Sequence, residues 1–400
     1  MLIAALFLLS LLTYIDRAAI SSAKAPIAAD LGLSDQSMGA VFSAFALGYA
    51  LAQIPSGWLA DRMGPRIALT AVVALWSLFT ALTGAAAGFA SLLAARFIFG
   101  VAEAGAFPGA ARAFHNWLPV ERRGLANGII FSGSRLGAAV AFPVMTSLFG
   151  IFGWRGSFVV LGAVTAAWAV FWAVWFRDYP PGHAPEPVET GPQGPSFGAI
   201  FRSKALVLAM AQYFASNFTF FLCLSWMHPY LKEHYRLAPS EAAAYAMAPL
   251  VFGASSQWIS GFLVDRLYRG PRRVWSRRLP AIAGLALSCV GLLALTRAST
   301  PLEAAICFTA ATFGTEMTIS PSWVYCMDIG GKRSGAVSAS MNMVGNIGSF
   351  VSANAFPFLY GLTGSASTYF LTAAALNAMG AVCWWRMTSL TPSPSRSPGG

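Results

Sequence analysis

The stretch GWLADRMGPR, Gly57 to Arg66, closes a long apolar run with an acid, two arginines and a Gly-Pro break; it returns 204 residues later as GFLVDRLYRGPRR, Gly261 to Arg273. Two further pairs keep the same order. EAGAFP (Glu103–Pro108) matches EMTISP (Glu316–Pro321) at an offset of 213, and RGLANGIIFSGSRLG (Arg123–Gly137) matches SGAVSASMNMVGNIG (Ser334–Gly348) at an offset of 211. Three repeats in one order argue for a unit duplicated in parallel, which places a ligand site at mid-membrane between the two copies.

Composition sets the medium. Hydrophobic residues make up 56% of the 400 residues, charged residues 10%, and mean hydropathy is +0.61, whereas a soluble domain carries about 25% charged residues. Twelve stretches reach the roughly 20 residues needed to cross a bilayer core: 2–27, 36–60, 67–88, 90–112, 123–147, 154–176, 204–230, 239–264, 278–297, 301–326, 334–359 and 364–387. They predict an all-α membrane protein of twelve transmembrane helices in two pseudo-symmetric six-helix bundles, residues 1–177 and 204–388. Residues 178–203, with Pro180, Pro181, Pro185, Pro187, Pro192 and Pro195, read as a cytoplasmic linker stiffened by proline. Residues 389–400 read as a disordered tail.

Net charge is +11, a value that elsewhere suggests nucleic acid, but the basic residues sit in short loops between apolar runs. With the N-terminus inside, 18 of the 26 Lys and Arg residues fall on the cytoplasmic side and four (Arg155, Lys232, Arg236, Arg297) on the other. The positive-inside rule then puts both termini in the cytoplasm and makes an inner, plasma membrane the expected location. The five cysteines are scattered through apolar segments with no CxxC and no histidine at ligand spacing, so neither a disulfide framework nor a metal site is expected. No cofactor is expected either. An embedded enzyme would need a metal or nucleophile constellation, such as paired DDxxD clusters or an active histidine, and none is present.

Four charges stand where the bilayer should be: Asp16 and Arg17 after LIAALFLLSLLTYI, and Arg96 and Glu103 within SLLAARFIFGVAEAGAFPGA. Charges at membrane depth normally face a cavity, pair with one another and mark a pathway. Arg96, Gly100 and Glu103 fall at i, i+4 and i+7 on one helix face, with the two charges roughly 10 Å apart along the axis and Gly100 between them expected to leave room for a ligand. Asp16 and Arg17 point about 100° apart, so one can face the cavity while the other addresses a neighbouring helix. Arginine suits a carboxylate because its planar fork makes two parallel hydrogen bonds. The bland alternative is a structural ion-pair network that only locks helices.

The motif G-x-x-x-D-R-x-G-x-R in GWLADRMGPR resembles the loop signature of the major facilitator superfamily. Four segments (YIDRAAIS, AFALGYALAQIPSGWLADRMGPR, RFIFGVAEAGAFPG and NWLPVERRGLANG) look like its anion:cation symporters. That group includes proton-coupled carriers of galactonate, glucarate and hexuronate, aromatic-acid carriers, and vesicular glutamate and sialic acid carriers. The region before the first span is shorter than relatives usually carry. The resemblance implies that Asp16 and Glu103 are proton-coupling acids, Arg17 a substrate-contacting arginine, and Arg96 a structural, coupling or substrate-side arginine. It also implies that Asp61, Arg62 and Arg66, echoed by Asp265 and Arg266, form a charge network gating the cytoplasmic face. Gly57 and Gly261 allow the close helix approach such a gate requires. The bland reading of that motif is an ordinary positive-inside loop.

Other polar groups at membrane depth are candidate ligand contacts: Tyr49, Ser134, Arg135, Asn217, Asn342 and Asn346, the last two on one face at i, i+4, with interhelical glue as the alternative for each. His228 and Tyr230 lie near the outer end of the seventh span. Glu316, the repeat partner of Glu103, has no arginine near it in sequence; a second proton site, a substrate contact and protonated helix glue all stay open. The expectation is a monomeric secondary transporter that carries an organic carboxylate, a sugar acid in the first instance, with protons by alternating access. Its partners are the anion, protons and the lipid bilayer, with no role for nucleic acid. An aromatic or other small carboxylate is the alternative cargo. A drug or cation antiporter fits less well, because arginines would face a cation.

Overall fold

A computed structural model describes residues 1–182 and 202–387, so most of the expected linker and the whole of the tail at 389–400 lie outside the described residues. Among the described residues the chain is helical throughout, with no strand. The first span is Leu2–Ser22 continued by Lys24–Leu31, and the fourth is Phe89–Glu103 continued by Ala106–Trp117. The second and third form one run, Asp35–Gly84, broken at Gly64 (φ 81°); the fifth and sixth form another, Arg123–Trp175, broken at Gly153 (φ 63°). Both breaks need left-handed backbone, which glycine adopts at no steric cost.

The second half follows the same plan. The seventh span is Lys204–Ser225 with Met227–His234, the eighth Pro239–Arg269, the ninth Arg278–Leu295, the tenth Pro301–Glu316 with Ile319–Gly330, the eleventh Ser334–Thr363 and the twelfth Ser367–Arg386. Among the described residues twelve spans therefore stand in two six-helix bundles of one design. The first span packs on the fifth as the seventh packs on the eleventh, and the ninth packs on the twelfth as the third does on the sixth.

The halves meet where the second span lies on the eleventh and the fifth on the eighth. Glycine sets both contacts. A Cβ at Gly57 would strike the Gly335 carbonyl and the Ala339 side chain, and one at Gly261 or Gly124 would strike the other's backbone. Side chains such as Val170, Val174, Ile151, Val290 and Trp385 turn outward and are more than 60% exposed. An apolar exterior of this kind suits lipid rather than water.

Candidate functional site

Glu103 and Glu316 each occupy the last residue of a half-helix, and the cause is local. Pro108 and Pro321 lie five residues on. A proline lacks the N–H that would bond four residues back, and its ring crowds that carbonyl, so the helices break at Ala104–Gly105 and Met317–Thr318. Interrupted helices at a repeat interface are the usual framework of transporter ligand sites.

In the first half, Arg17 donates its Nε to Glu103 in a close ion pair. The Arg17 side chain keeps 20% of its surface exposed while Glu103 keeps none, so the arginine stands in front and the acid behind. The guanidinium lies 4.5 Å from the ring centre of Tyr49, 5.0 Å from Tyr14 and 5.3 Å from Phe45, a geometry that supports a cation with aromatic faces. Arg17 Nη2 and Glu103 Oε2 are buried with no partner in the protein.

Asp16 goes elsewhere. It is buried against the third and sixth spans, where its Oδ2 accepts from Trp76 Nε1 at 2.8 Å and from the Thr165 hydroxyl at 3.2 Å. Among the described residues Arg96 makes no ion pair; its guanidinium lies over Phe99 (4.3 Å) and Phe45 (5.2 Å), and its Nε has no partner there. The expected room at Gly100 is absent, because a Cβ there would collide with the Phe45 carbonyl of the second span. Gly100 serves close helix packing, not a ligand. The i, i+4, i+7 argument saw one helix and missed the backbone pressed against it.

A second pair crosses between the halves. Arg135, from the fifth span, grips Glu316 with two bonds, Nη2 to Oε1 at 2.6 Å and Nε to Oε2 at 3.2 Å. Gln257 of the eighth span also donates to Glu316. The partner that Glu316 lacked in its own sequence neighbourhood is thus supplied 181 residues away. Arg135 stacks 4.0 Å from Phe220 and reaches within 6.0 Å of Tyr14.

The remaining expected contacts divide. Asn342 bridges the halves, donating to the Tyr49 hydroxyl at 3.2 Å and Gln53 Oε1 at 3.0 Å. Asn346 and Asn217 donate to the Asn342 and Tyr213 carbonyls of their own helices. Ser134 is buried and donates to the Phe131 carbonyl. On the termini side of the two glutamates a floor of rings closes the space: Phe107 stacks on Phe131 at 4.9 Å, and Trp323 of the second half packs on Phe131 at 5.0 Å.

Below that floor the repeated motif ties the halves together. Asp61 accepts from the backbone N–H groups of Gly335 and Ala336, both at 2.8 Å, at the start of the eleventh span. Asp265 does the same for Gly124 (2.8 Å) and Leu125 (2.9 Å) at the start of the fifth. A carboxylate at a helix N-terminus satisfies orphan donors and meets the positive end of the dipole. The arginines expected here do not join these contacts. Arg62 and Arg266 are exposed, stacked on Trp58 (5.2 Å) and Phe262 (5.9 Å), and Arg66 binds the Ala173 carbonyl within its own half. The ion pair that crosses between the halves here is Arg123 with Asp328 (3.6 Å), Asp328 being held also by Arg277 (3.1 Å), while Arg112, 4.0 Å from Asp61 within its own half, donates across to the Gly331 carbonyl at 3.3 Å. Asp61→Asn, losing one acceptor and the charge, should weaken the seal by about 0.5–2 kcal/mol. The expected result is a several-fold fall in transport with normal membrane insertion, read by uptake beside cysteine accessibility on the termini face.

The Major Facilitator Superfamily model matches residues 6–353. The chain belongs to the major facilitator superfamily. Among its relatives in this superfamily is a probable sulfoacetate transporter of Cupriavidus necator, 35% identical over 96% of this chain and 92% of the relative. A probable L-galactonate transporter of Escherichia coli is 28% identical over 89% and 81%, and a hexuronate transporter of Bacillus subtilis 29% identical over 93% and 90%. The fold matches the crystal structure of the Escherichia coli fucose:proton symporter, with a TM-score of 0.71 over 96% of this chain and 98% of that one at 17% identity. A major facilitator protein is a multi-pass membrane transporter and not an enzyme.

Proposed function

We propose that this transporter imports an organic carboxylate, a sugar acid in the first instance, together with protons by alternating access. The observation that carries this reading is the Arg17–Glu103 pair: an arginine whose side chain keeps 20% of its surface accessible and leaves Nη2 without a partner, joined to a fully buried acid. An anion that approaches meets the arginine first and competes for it with Glu103. A glutamate displaced while still charged would be a buried unpaired ion, a cost of about 3–5 kcal/mol. Protonation removes that cost, so anion and proton bind together. Relatives named for sulfoacetate, L-galactonate and hexuronate transport support a small organic acid as cargo.

In this reading Glu103 and Glu316 hold protons, Arg17 and Arg135 hold the anion, and Tyr49, Asn342 and Gln53 report occupancy to the interface between halves. Asp16, anchored by Trp76 and Thr165, and Arg96 set the field around Glu103. The protein works as a monomer in the inner membrane with both termini in the cytoplasm, so the Asp61 and Asp265 caps close the cytoplasmic face and the site is reached from outside. The test is uptake by the purified protein in liposomes, with galactonate, glucuronate, glucarate and sulfoacetate as radiolabelled cargo. Uptake of at least one that follows an imposed pH gradient and ignores sodium is expected; uptake that tracks sodium and ignores pH overturns proton coupling.

A further inference from the structure

Two arginine–glutamate pairs, not one, meet at the centre of the molecule. Arg17 lies 5.0 Å and Arg135 6.0 Å from the same Tyr14 ring centre, so their guanidinium carbons are at most 11 Å apart (5.0 Å plus 6.0 Å). Each arginine keeps some exposure, 20% and 10% of the side chain, and each shields an acid that is 0% and 1% exposed. The order is the same at both: the arginine is the more accessible partner and the acid the buried one. The pairs differ in one respect. Arg17–Glu103 lies within the first half, while Arg135–Glu316 joins the halves.

We propose that the cargo is a small dianion gripped at two points, one acid group on Arg17 and the other on Arg135. This rests on the carboxylate reading above and narrows it. A molecule with acid groups at the two ends of a short carbon chain covers the separation once charge-assisted contacts of about 2.8 Å form at each end. Both buried pairs are neutral before the ligand arrives. Each acid group that takes an arginine leaves one glutamate without its cation, and each such glutamate takes one proton. Two negative charges and two protons enter together, and the site stays neutral. A single-charged ligand disturbs one pair and leaves the other closed. Binding at the second point also opens the ion pair that joins the halves, so a dianion loosens that link while its other acid group stays on Arg17.

The test compares ligands matched in skeleton and differing in one acid group, glucarate against gluconate and sulfoacetate against acetate, by titration of tryptophan fluorescence on the full-length protein in detergent or nanodiscs. The dianion of the preferred pair should bind about 10- to 100-fold more tightly, the range expected for one more charge-assisted contact. Arg135→Gln should collapse that ratio to within about threefold. Because Arg135→Gln alone strands Glu316, the double variant Arg135→Gln/Glu316→Gln is measured beside it and should show the same collapse. Equal affinities for mono- and dianion in the wild type, or a ratio that survives in the double variant, overturn the two-point site and leave the carboxylate reading standing. If no member of either pair binds at millimolar concentration, the carboxylate reading itself fails, and the two-point site with it.

Discussion

Glu103→Gln should keep the carrier able to exchange its anion across the membrane while cutting what a pH gradient can accumulate by about tenfold per pH unit. Glutamine has the shape of the acid and still offers an oxygen to Arg17 Nε, so the arginine is not left without an acceptor. What it cannot do is take a proton. One pH unit is worth about 1.36 kcal/mol for each coupled proton, a factor of about ten in concentration ratio. Removing one proton carrier therefore removes one such factor, and Glu103→Gln/Glu316→Gln should exchange without accumulating at all. Counterflow with equal pH on both sides measures the exchange; the steady-state ratio under an imposed gradient measures the coupling. Undiminished accumulation by Glu103→Gln would place the transported proton elsewhere, with Asp16 the next acid to examine.

The charges that define the site stand out in the sequence because each interrupts an apolar run, and burying them is costly enough that chance does not leave them there. Their partners do not stand out. Arg135 and Glu316 are 181 residues apart, and nothing in either segment says that the fifth span of one half faces the tenth of the other. Gln257 and Tyr14 are ordinary in composition for a membrane helix, so their places beside Glu316 and between the two arginines appear only in three dimensions. The five-residue spacing from glutamate to proline is visible as a repeat; its meaning as a helix break emerges only once the half-helices end at the acids.

The fold was legible chiefly through duplication. Hydropathy and helix length alone pick out seven membrane-crossing stretches among the described residues: Gln36–Gly84 and Pro143–Trp175 each run over the join between two spans, and none covers the tenth, eleventh or twelfth. The repeats of Glu103–Pro108 at Glu316–Pro321 and of Arg123–Gly137 at Ser334–Gly348 supply the tenth and eleventh. The second-to-third loop misleads in one respect. Its arginines look like the tie between the halves, yet the cross-half contacts are made by its acids, which cap helices across the interface, and by Arg112, Arg123 and Asp328 from segments with no motif of their own.

Arg17→Lys should lower anion uptake by 100-fold or more with little change in the amount of folded protein. The variant keeps the positive charge beside Glu103, so the buried acid is not abandoned; removal of the charge altogether would cost about 3–5 kcal/mol and confuse loss of function with loss of fold. Lysine still fails on geometry. Arg17 holds Glu103 with Nε and leaves its buried Nη2 without a partner, one donor still to be satisfied. An ammonium is a single point that cannot hold the glutamate and present a flat two-pronged face to a carboxylate at once. It also stacks less well among Tyr14, Phe45 and Tyr49, whose rings surround the guanidinium at 4.5–5.3 Å. Uptake in liposomes, with size-exclusion profiles and thermal unfolding as the control for folding, decides the point. A lysine variant that transports at the wild-type rate would show that a point charge suffices and that the fork at Arg17 does not hold the anion.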